Sequence, residues 1–282
     1  MAAKPPARWH SAGWWAAVGG ILAALSLVVT LVQLFKSEPS GPVTRAGTSA
    51  TATATAAATP SPSRSPAETP FTVAVRDRTT PCGVGWVLPA GQGVKPGDGM
   101  DEDDQWRTWA AAQHAIPTTS GVDFTVQGRS TAQVVLLGMH IRVIERLAPA
   151  KGTAYGLACG GDGVYRWISA NLDPPTPKLS SRYDESLDPE GDLPQRRGPV
   201  KFPYTVAIGD AEVFTVFGTA TKCLCRWVID LDWSSQGETG TFTIDDHGQP
   251  FQTTGVTQVD LICTKNQYQP LNETTDCRPQ RR

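Results

Sequence analysis

The stretch Leu224 to Trp233 reads LCRWVIDLDW and carries the clearest fold signal in the chain. Its last residues alternate between apolar side chains and two carboxylates, Asp230 and Asp232. A period of two places alternate side chains on opposite faces of an extended strand. The stretch therefore predicts a strand with one buried face and one face that presents both aspartates to water.

Shorter segments with the same period surround this strand. We predict further strands at 71–75, 122–126, 135–143, 165–167, 213–217 and 239–245. The residues that follow the last of them, 246–248, read DHG and predict a hairpin turn. Gly248 suits such a turn because it accepts a positive φ angle.

Two of these strands carry an explicit prediction of the buried face. In one, every second residue from Val135 to Val143 is predicted to face the core, with a bend at Gly138. In the other, Val213 and Phe217 are predicted to share the core face. Both predictions assume that the alternation continues without an inserted residue.

One segment, 101–116, predicts a helix. It begins with four acidic side chains, which suit the positive end of a helix, and places Trp106, Trp109 and Ile116 near one face. Many short strands and one short helix indicate a mainly β fold, either an antiparallel β-sandwich or a barrel-like fold. The pattern leaves both architectures open.

Residues 13–36 predict a single transmembrane helix. No charged side chain lies between Trp14 and Phe35. At about 1.5 Å per residue, about 20 residues cross a hydrocarbon core about 30 Å thick. The run is longer than a secretory signal core and ends without a small-x-small cleavage site, which favours an uncleaved signal anchor over a cleaved signal peptide.

This helix divides the chain into parts. We predict a cytoplasmic tip at 1–12, a disordered linker rich in Ala, Thr, Ser and Pro at 37–70, and an extracytoplasmic domain at 71–282. Within that domain the proline-rich stretch 172–203 is predicted to be a long irregular loop. Flanking charges favour this orientation only slightly, but all the cysteines lie after the helix, where an extracytoplasmic domain can oxidise them. The predicted location is the cell membrane, with the bilayer as partner of residues 13–36.

Six cysteines on the oxidising side predict three disulfide bonds. They are Cys82, Cys159, Cys223, Cys225, Cys263 and Cys277. Because Cys223 and Cys225 are two residues apart on a predicted strand, their side chains share a face and are expected not to bond to each other. If Cys263 holds the C-terminal tail through Cys277, the remaining four would pair as Cys223 and Cys225 with Cys82 and Cys159, in either order.

No motif in the chain names a reaction. Nucleophile elbows, phosphate-binding loops and zinc-protease motifs are absent from the sequence, and Cys-x-Cys lacks the spacing of zinc ligand pairs. We therefore predict no catalytic residue, no metal site and no cofactor. Asp230 and Asp232 are candidates for paired-carboxylate chemistry, and Trp227 and Trp233 are candidates for a glycan-stacking surface, although core packing is the favoured explanation for most tryptophans in a domain of this size.

Several of these segments resemble one family. Cys223 to Ser235, Gly240 to Phe251, the Phe202-Pro203-Tyr204 segment and the turn that begins at Ala158 look like a pattern in single-pass, membrane-anchored extracytoplasmic proteins of high-GC Gram-positive bacteria. The resemblance covers most of residues 122–251. It implies a location and no particular activity.

Three functions are consistent with these features. The first is a non-enzymatic, membrane-anchored extracytoplasmic module that binds a protein or a glycan of the cell envelope. The second is an accessory subunit that acts through its transmembrane helix. The third is an envelope hydrolase that uses Asp230 and Asp232. The formal net charge of −2 argues against a nucleic-acid partner, which would require a concentrated basic patch.

Overall fold

The computed structural model describes residues 69–159, 164, 166–187, 198–266, 268–272 and 276–280. These residues all belong to one compact unit. No helix within these ranges is long and apolar enough to cross a bilayer. The predicted cytoplasmic tip, the predicted transmembrane helix and nearly all of the predicted linker fall in residues 1–68, outside the described residues.

The described part of the chain is mainly β, as predicted, with three mostly antiparallel sheets and one α-helix. In chain order the strands are β1 (Phe71–Asp77), β2 (Trp86–Pro89), β3 (Ile116–Pro117), β4 (Thr119–Gly128), β5 (Val134–Leu147), β6 (Gly152–Ala158), β7 (Arg166–Asn171), β8 (Leu179–Tyr183), β9 (Tyr204–Val206), β10 (Glu212–Thr219), β11 (Leu224–Ser235), β12 (Glu238–Ile244), β13 (Phe251–Thr254), β14 (Leu261–Asn266) and β15 (Cys277–Pro279). The helix α1 (Asp103–Gln113) lies between β2 and β3, and a short 3₁₀ helix spans Glu185–Leu187.

Two sheets share the main hydrophobic core. The first has the order β1-β4-β10-β7-β8, and the second has the order β12-β11-β5-β9, with β13 paired to the start of β11. Their inward side chains form one continuous cluster that includes Phe124, Phe214, Trp227 and Leu231. Strand β8 lies within 172–203, so the prediction of an irregular loop across that whole stretch was wrong.

The buried faces of two strands differ from the prediction. In β5 the core face holds Val134 and Leu136 and then Met139 and Ile141, and Leu137 is 47% exposed. The reason is a β-bulge. Trp233 pairs with Leu136 but Asp232 pairs with Gly138, so Leu137 is an inserted residue. Even-numbered side chains of β5 therefore face the core before the bulge, and odd-numbered side chains face it afterwards.

In β10 the even-numbered residues face the core. Phe214 and Val216 are buried, whereas Val213 is 50% exposed. This face also carries Glu212 and Gly218, which are not apolar side chains, so the sequence pattern does not identify it as the buried face. Pairing with β4, which places Phe214 opposite the buried Phe124, decides which face turns inward.

A third sheet of order β15-β14-β6-β2-β3 has a core of its own with α1. Trp106 of α1 stacks on Trp86 of β2, with ring centroids 6.0 Å apart. The helix is shorter than predicted. It ends because His114 adopts a left-handed conformation, and Ile116 belongs to β3 instead of the helix.

Three disulfide bonds join Cys82 to Cys159, Cys223 to Cys225, and Cys263 to Cys277. Cys263 and Cys277 lie directly opposite each other in the β14–β15 pair. The number of bonds and the attachment of the C-terminal tail agree with the prediction.

The expectation that Cys223 and Cys225 would not bond to each other was wrong. Residues two apart in a regular strand are separated by about 6.6 Å. Cys223, however, lies just outside β11, where the chain bends, and its Cα is 5.3 Å from that of Cys225. This distance is in the normal range for a disulfide, and the shared face of the two side chains then favours the bond.

Candidate functional site

A cleft of about 700 Å³ lies between the third sheet with α1 and the end of the first two sheets. Strands β1 and β4 contribute one wall through Val75, Asp77 and Ser120, and the end of α1 contributes another through Arg107 and His114. The turn between β12 and β13 closes one side. The cleft therefore depends on elements from all three sheets.

Two histidines in the left-handed conformation line this cleft. His114, with φ 53°, is the residue that ends α1, and its backbone N–H donates to the carbonyl of Ala111. His247, with φ 51°, precedes Gly248 in the predicted turn after β12. Asp246 and Gln249 exchange backbone hydrogen bonds across that turn, which confirms the predicted hairpin. Residues other than glycine rarely adopt this conformation, and it is often found at functional sites.

The charged side chains of the cleft are mainly acidic. One oxygen of Asp77 accepts a hydrogen bond of 2.7 Å from the backbone N–H of Thr79, and Asp246 makes no side-chain hydrogen bond to any described residue. Arg107 is the cationic residue of the lining, but it is already paired with Asp103 and Asp104. Its hydrogen bond to Asp104 lowers the pKa of that carboxyl. An excess of negative charge consequently faces the cleft.

The rest of the lining combines apolar walls and amides. Trp86, Pro117 and Phe251 supply apolar surface, and Gln92 and Gln252 supply amide groups. Apolar walls with a few polar groups are typical of ligand pockets, and volumes of about 300–1,000 Å³ are usual for them. The cleft therefore has the composition and the size of a binding site.

A second, smaller groove of about 390 Å³ runs between β1 and β12 and opens towards the cleft. Its walls are apolar, with Val73 and Val75 on one side and Phe242 and Ile244 on the other. His247 lines both the groove and the cleft, as does Val75. The two cavities therefore adjoin each other at these two residues.

The predicted pair Asp230 and Asp232 lies on the wet face of β11, as the alternation indicated. Arg142 binds Asp230 with two hydrogen bonds, from Nε at 2.6 Å and from Nη2 at 2.9 Å, and Thr243 donates a third at 2.7 Å. The hydrogen bond from Arg142 is the main cause of a lowered pKa at Asp230. The hydrogen bond from Thr243 adds to it, and partial burial opposes both.

Asp232 has its own partners. Thr241 donates to it at 2.6 Å, and His140 Nε2 lies 2.8 Å from its other oxygen. Neither aspartate lines the cleft or the groove. The structure therefore places both carboxylates in cross-strand contacts of a sheet face, which is a stabilising arrangement.

The two tryptophan candidates, Trp227 and Trp233, are core residues. Trp227 is fully buried, and its indole N–H donates to Thr253 at 3.0 Å. Trp233 is 7% exposed and packs against Phe71 and the backbone of Gly240. Neither side chain presents a face on which a sugar ring could stack.

A buried polar cluster joins the two main sheets near β9. Arg166 donates to Glu212 at 2.9 Å, and the Tyr204 hydroxyl donates to the other Glu212 oxygen at 2.7 Å. Burial, followed by the hydrogen bond to Glu212, raises the pKa of Tyr204. The described residues of this cluster line none of the cavities above, so its evident role is to fix β7, β9 and β10 relative to one another.

The sequence prediction did not identify the residues of the cleft. The local pattern indicates only a turn at Asp246 and His247, and it predicts a helix that includes His114. The available signal was the dipeptide His-Gly after a strand, which indicates a turn with a side chain in the left-handed conformation. No local signal brings His114 or Asp77 to that turn, because they meet it only through tertiary packing.

No family model matches the chain, and no curated protein and no solved structure is similar to it at a significant level. The resemblance to membrane-anchored proteins of high-GC Gram-positive bacteria therefore stays a prediction.

Proposed function

We propose that the protein is a membrane-anchored, extracytoplasmic binding module built on a β-sandwich, and that the cleft lined by His114 and His247 is its binding site. The observation that carries this proposal is the cleft itself, with its volume of about 700 Å³ and its mixed lining. Three disulfide bonds agree with an oxidising compartment. In this proposal residues 13–36 anchor the chain, 37–70 link the domain to the membrane, and the partner is a component of the cell envelope.

Binding is favoured over nucleophilic catalysis by the contacts of the two histidines. A catalytic serine, threonine or cysteine requires a base within hydrogen-bonding distance. Neither imidazole makes a side-chain hydrogen bond to any described residue, and all described cysteines are in disulfide bonds. A histidine exposed in a cleft without such a partner is better suited to contacting a ligand.

The hydrolase that would use Asp230 and Asp232 has less support. A glycosidase requires one carboxyl group that keeps its proton, which calls for a raised pKa. Arg142 instead lowers the pKa of Asp230, which does not suit it as the acid, and neither Asp230 nor Asp232 lines the cleft or the groove, where a sugar could bind. The accessory-subunit hypothesis concerns residues 13–36, which lie outside the described residues, and both alternatives stay predictions.

Site-specific photo-crosslinking tests the proposal in the full-length chain in its native membrane. A photoreactive residue replaces Gln92, an exposed part of the cleft lining, and in a matched control it replaces Gln127, which is exposed on β4 away from the cleft. We expect a discrete adduct from position 92 and none from position 127. The adduct from position 92 should also disappear when His247 is replaced by glycine. Adducts of equal intensity from both positions, or none from position 92, would refute the cleft as the binding site.

The anchor is tested separately in the same membranes. The chain should stay with the membrane after alkaline extraction, and protease added to the outer face should release or degrade the domain. Extraction of the intact chain into the soluble fraction would count against the anchor and leave the cleft proposal in place.

A further inference from the structure

We infer that the ligand of the cleft is an extended polypeptide, which pairs with a free strand edge in the β1–β12 groove and places a cationic group in the cleft. The inference rests on the proposed function, because it assigns a ligand class to the same site. Four observations lead to it.

The first is that the groove is bordered by two unpaired strand edges. Strand β1 pairs only with β4, and β12 pairs only with β11, so each is the edge strand of its sheet among the described residues. A free edge presents a row of backbone N–H and C=O groups that lack a strand partner. An extended polypeptide supplies the complementary groups at the same spacing, and strand addition of this kind is a common mode of peptide recognition.

The second is the apolar lining between the edges. Val73 and Val75 of β1 and Phe242 of β12 are only partly buried, although all three pack against the main core. An added strand would direct every second side chain towards these residues and would cover them. Small or medium apolar side chains at alternating positions therefore suit the groove volume of about 390 Å³.

The third is the direction of the two strands. β1 ends at Asp77, which lines the cleft, and β12 ends at Ile244, which lines the groove two residues before the cleft-lining Asp246. His247 and Val75 line both cavities, so the groove and the cleft adjoin each other at these residues. A peptide seated on either edge would place one of its ends, or a residue near that end, beside the turn that holds His247.

The fourth is charge. Asp77 and Asp246 line the cleft, and Asp245 lines the groove beside His247, which lines both. One oxygen of Asp77 and one of Asp245 already accept a backbone hydrogen bond, which leaves the second oxygen of each without a hydrogen bond to a described residue. The guanidinium of Arg107 is neutralised by Asp103 and Asp104. A peptide N-terminal ammonium or a lysine side chain would complement this acidic end.

The test uses synthetic peptides and the full-length protein in detergent micelles. The probe is a library of peptides about nine residues long, with valine at every second position, mixed polar residues between, and a free N-terminal amine. The best binder is then compared with three derivatives: one that is acetylated and lacks lysine, and two that carry N-methyl groups on alternate amides in opposite registers. N-methylation removes the donors that strand pairing requires, and it leaves the protein unchanged.

We expect the acetylated peptide to bind at least about tenfold more weakly, since it loses its charge pair. One N-methylated register should abolish binding and the other should be tolerated, because only alternate amides face a partner strand. In the protein, Asp246→Asn should weaken binding of the amine peptide and not of the acetylated one. Glu238→Gln, at the far end of β12, is the matched control and should have no effect.

Other outcomes separate the inference from the proposed function. If both N-methylated registers bind as well as the parent and Asp246→Asn still weakens binding, strand pairing is refuted and the cleft remains a ligand site. If no peptide binds better than a sequence-scrambled control, the peptide ligand is refuted. Crosslinking from position 92 then still tests independently whether the cleft is a binding site. A ligand captured there that proves to be a glycan would equally refute this inference.

Discussion

His114 and His247 line the same cleft, and both hold the left-handed backbone conformation, with φ of 53° and 51°. They reach it by different routes, since His114 ends a helix and His247 occupies a hairpin turn. A residue other than glycine in this conformation costs about 1 kcal/mol or more. Glycine would be the less strained choice at both positions, which agrees with the ligand-contacting role that we propose for the two imidazoles.

Replacing His247 with glycine should separate ligand binding from stability. We expect the free energy of unfolding to stay constant or to rise by up to about 1 kcal/mol, because glycine accepts the positive φ. Ligand contact, measured as the adduct formed from position 92, should be lost. Chemical denaturation measures the first quantity and crosslinking measures the second.

Gln236→Gly is the matched control for this change. Gln236 has the same φ of 51° and likewise precedes a glycine in a turn, between β11 and β12, but it does not line the cleft. Its replacement should affect stability in the same way and leave the adduct intact. Loss of the adduct in both variants would show that turn geometry, and not the imidazole, controls the site.

Arg142→Met should reduce stability in a manner that depends on pH. The pKa of Asp230 is lowered in the folded protein, so its interaction with Arg142 stabilises the fold above the pKa of an unfolded aspartate, about 3.9. This stabilisation is lost as the pH falls through the lower folded pKa. The difference between wild type and Arg142→Met should therefore be largest at neutral pH and should shrink below about pH 4.

Urea titrations between pH 7 and pH 3 measure this difference. Arg226→Met is the control, because Arg226 pairs with Glu145 on the same sheet face at a longer distance of 3.3 Å, and the Glu145 carboxylate is 43% exposed whereas that of Asp230 is 14% exposed. It should cost less stability at neutral pH than Arg142→Met. A constant difference between wild type and Arg142→Met across the whole pH range would contradict the assigned role of Arg142.

The disulfide bonds should differ in their contribution to stability. Loop-closure entropy predicts about 4.5 kcal/mol for Cys82–Cys159, which closes a long loop, and less than about 2 kcal/mol for Cys223–Cys225, which closes a very short one. Double Cys→Ala variants, compared by urea denaturation under oxidising conditions, should follow this order. The reverse order would mean that Cys223–Cys225 stabilises the packing of β11 beyond its effect on the unfolded chain.

Gly218→Ala should destabilise the main core. A Cβ at this position would lie 2.6 Å from the ring of Trp227, which is fully buried and cannot move aside. Overpacking of this kind typically costs about 1–3 kcal/mol. Gly209→Ala adds the same methyl group where nothing lies within 4 Å, so it should be nearly neutral. Equal melting temperatures for the two variants would argue against the tight packing of Trp227 on β10.

Local pattern was sufficient for much of the fold. The two faces of β11, the strands predicted at 71–75 and 122–126, which lie within β1 and β4, and the hairpin turn at Asp246 follow from alternation and from turn chemistry. These features are local, since a strand with one buried face must alternate and a two-residue turn requires positive φ. The third sheet gave no such signal. Its strand β6 is buried along most of its length, and a strand covered on both faces does not alternate.

By itself the sequence determined that this protein is mainly β, where several strands lie, and which side of β11 carries Asp230 and Asp232. Only the tertiary structure decided the inserted residue Leu137, the bond between Cys223 and Cys225, and the meeting of His114 with His247. The physical reason is the range of the interactions. Alternation and turns depend on neighbours along the chain, whereas a bulge, a bend that brings two cysteines together, and a cleft depend on which strands pair and how the sheets pack.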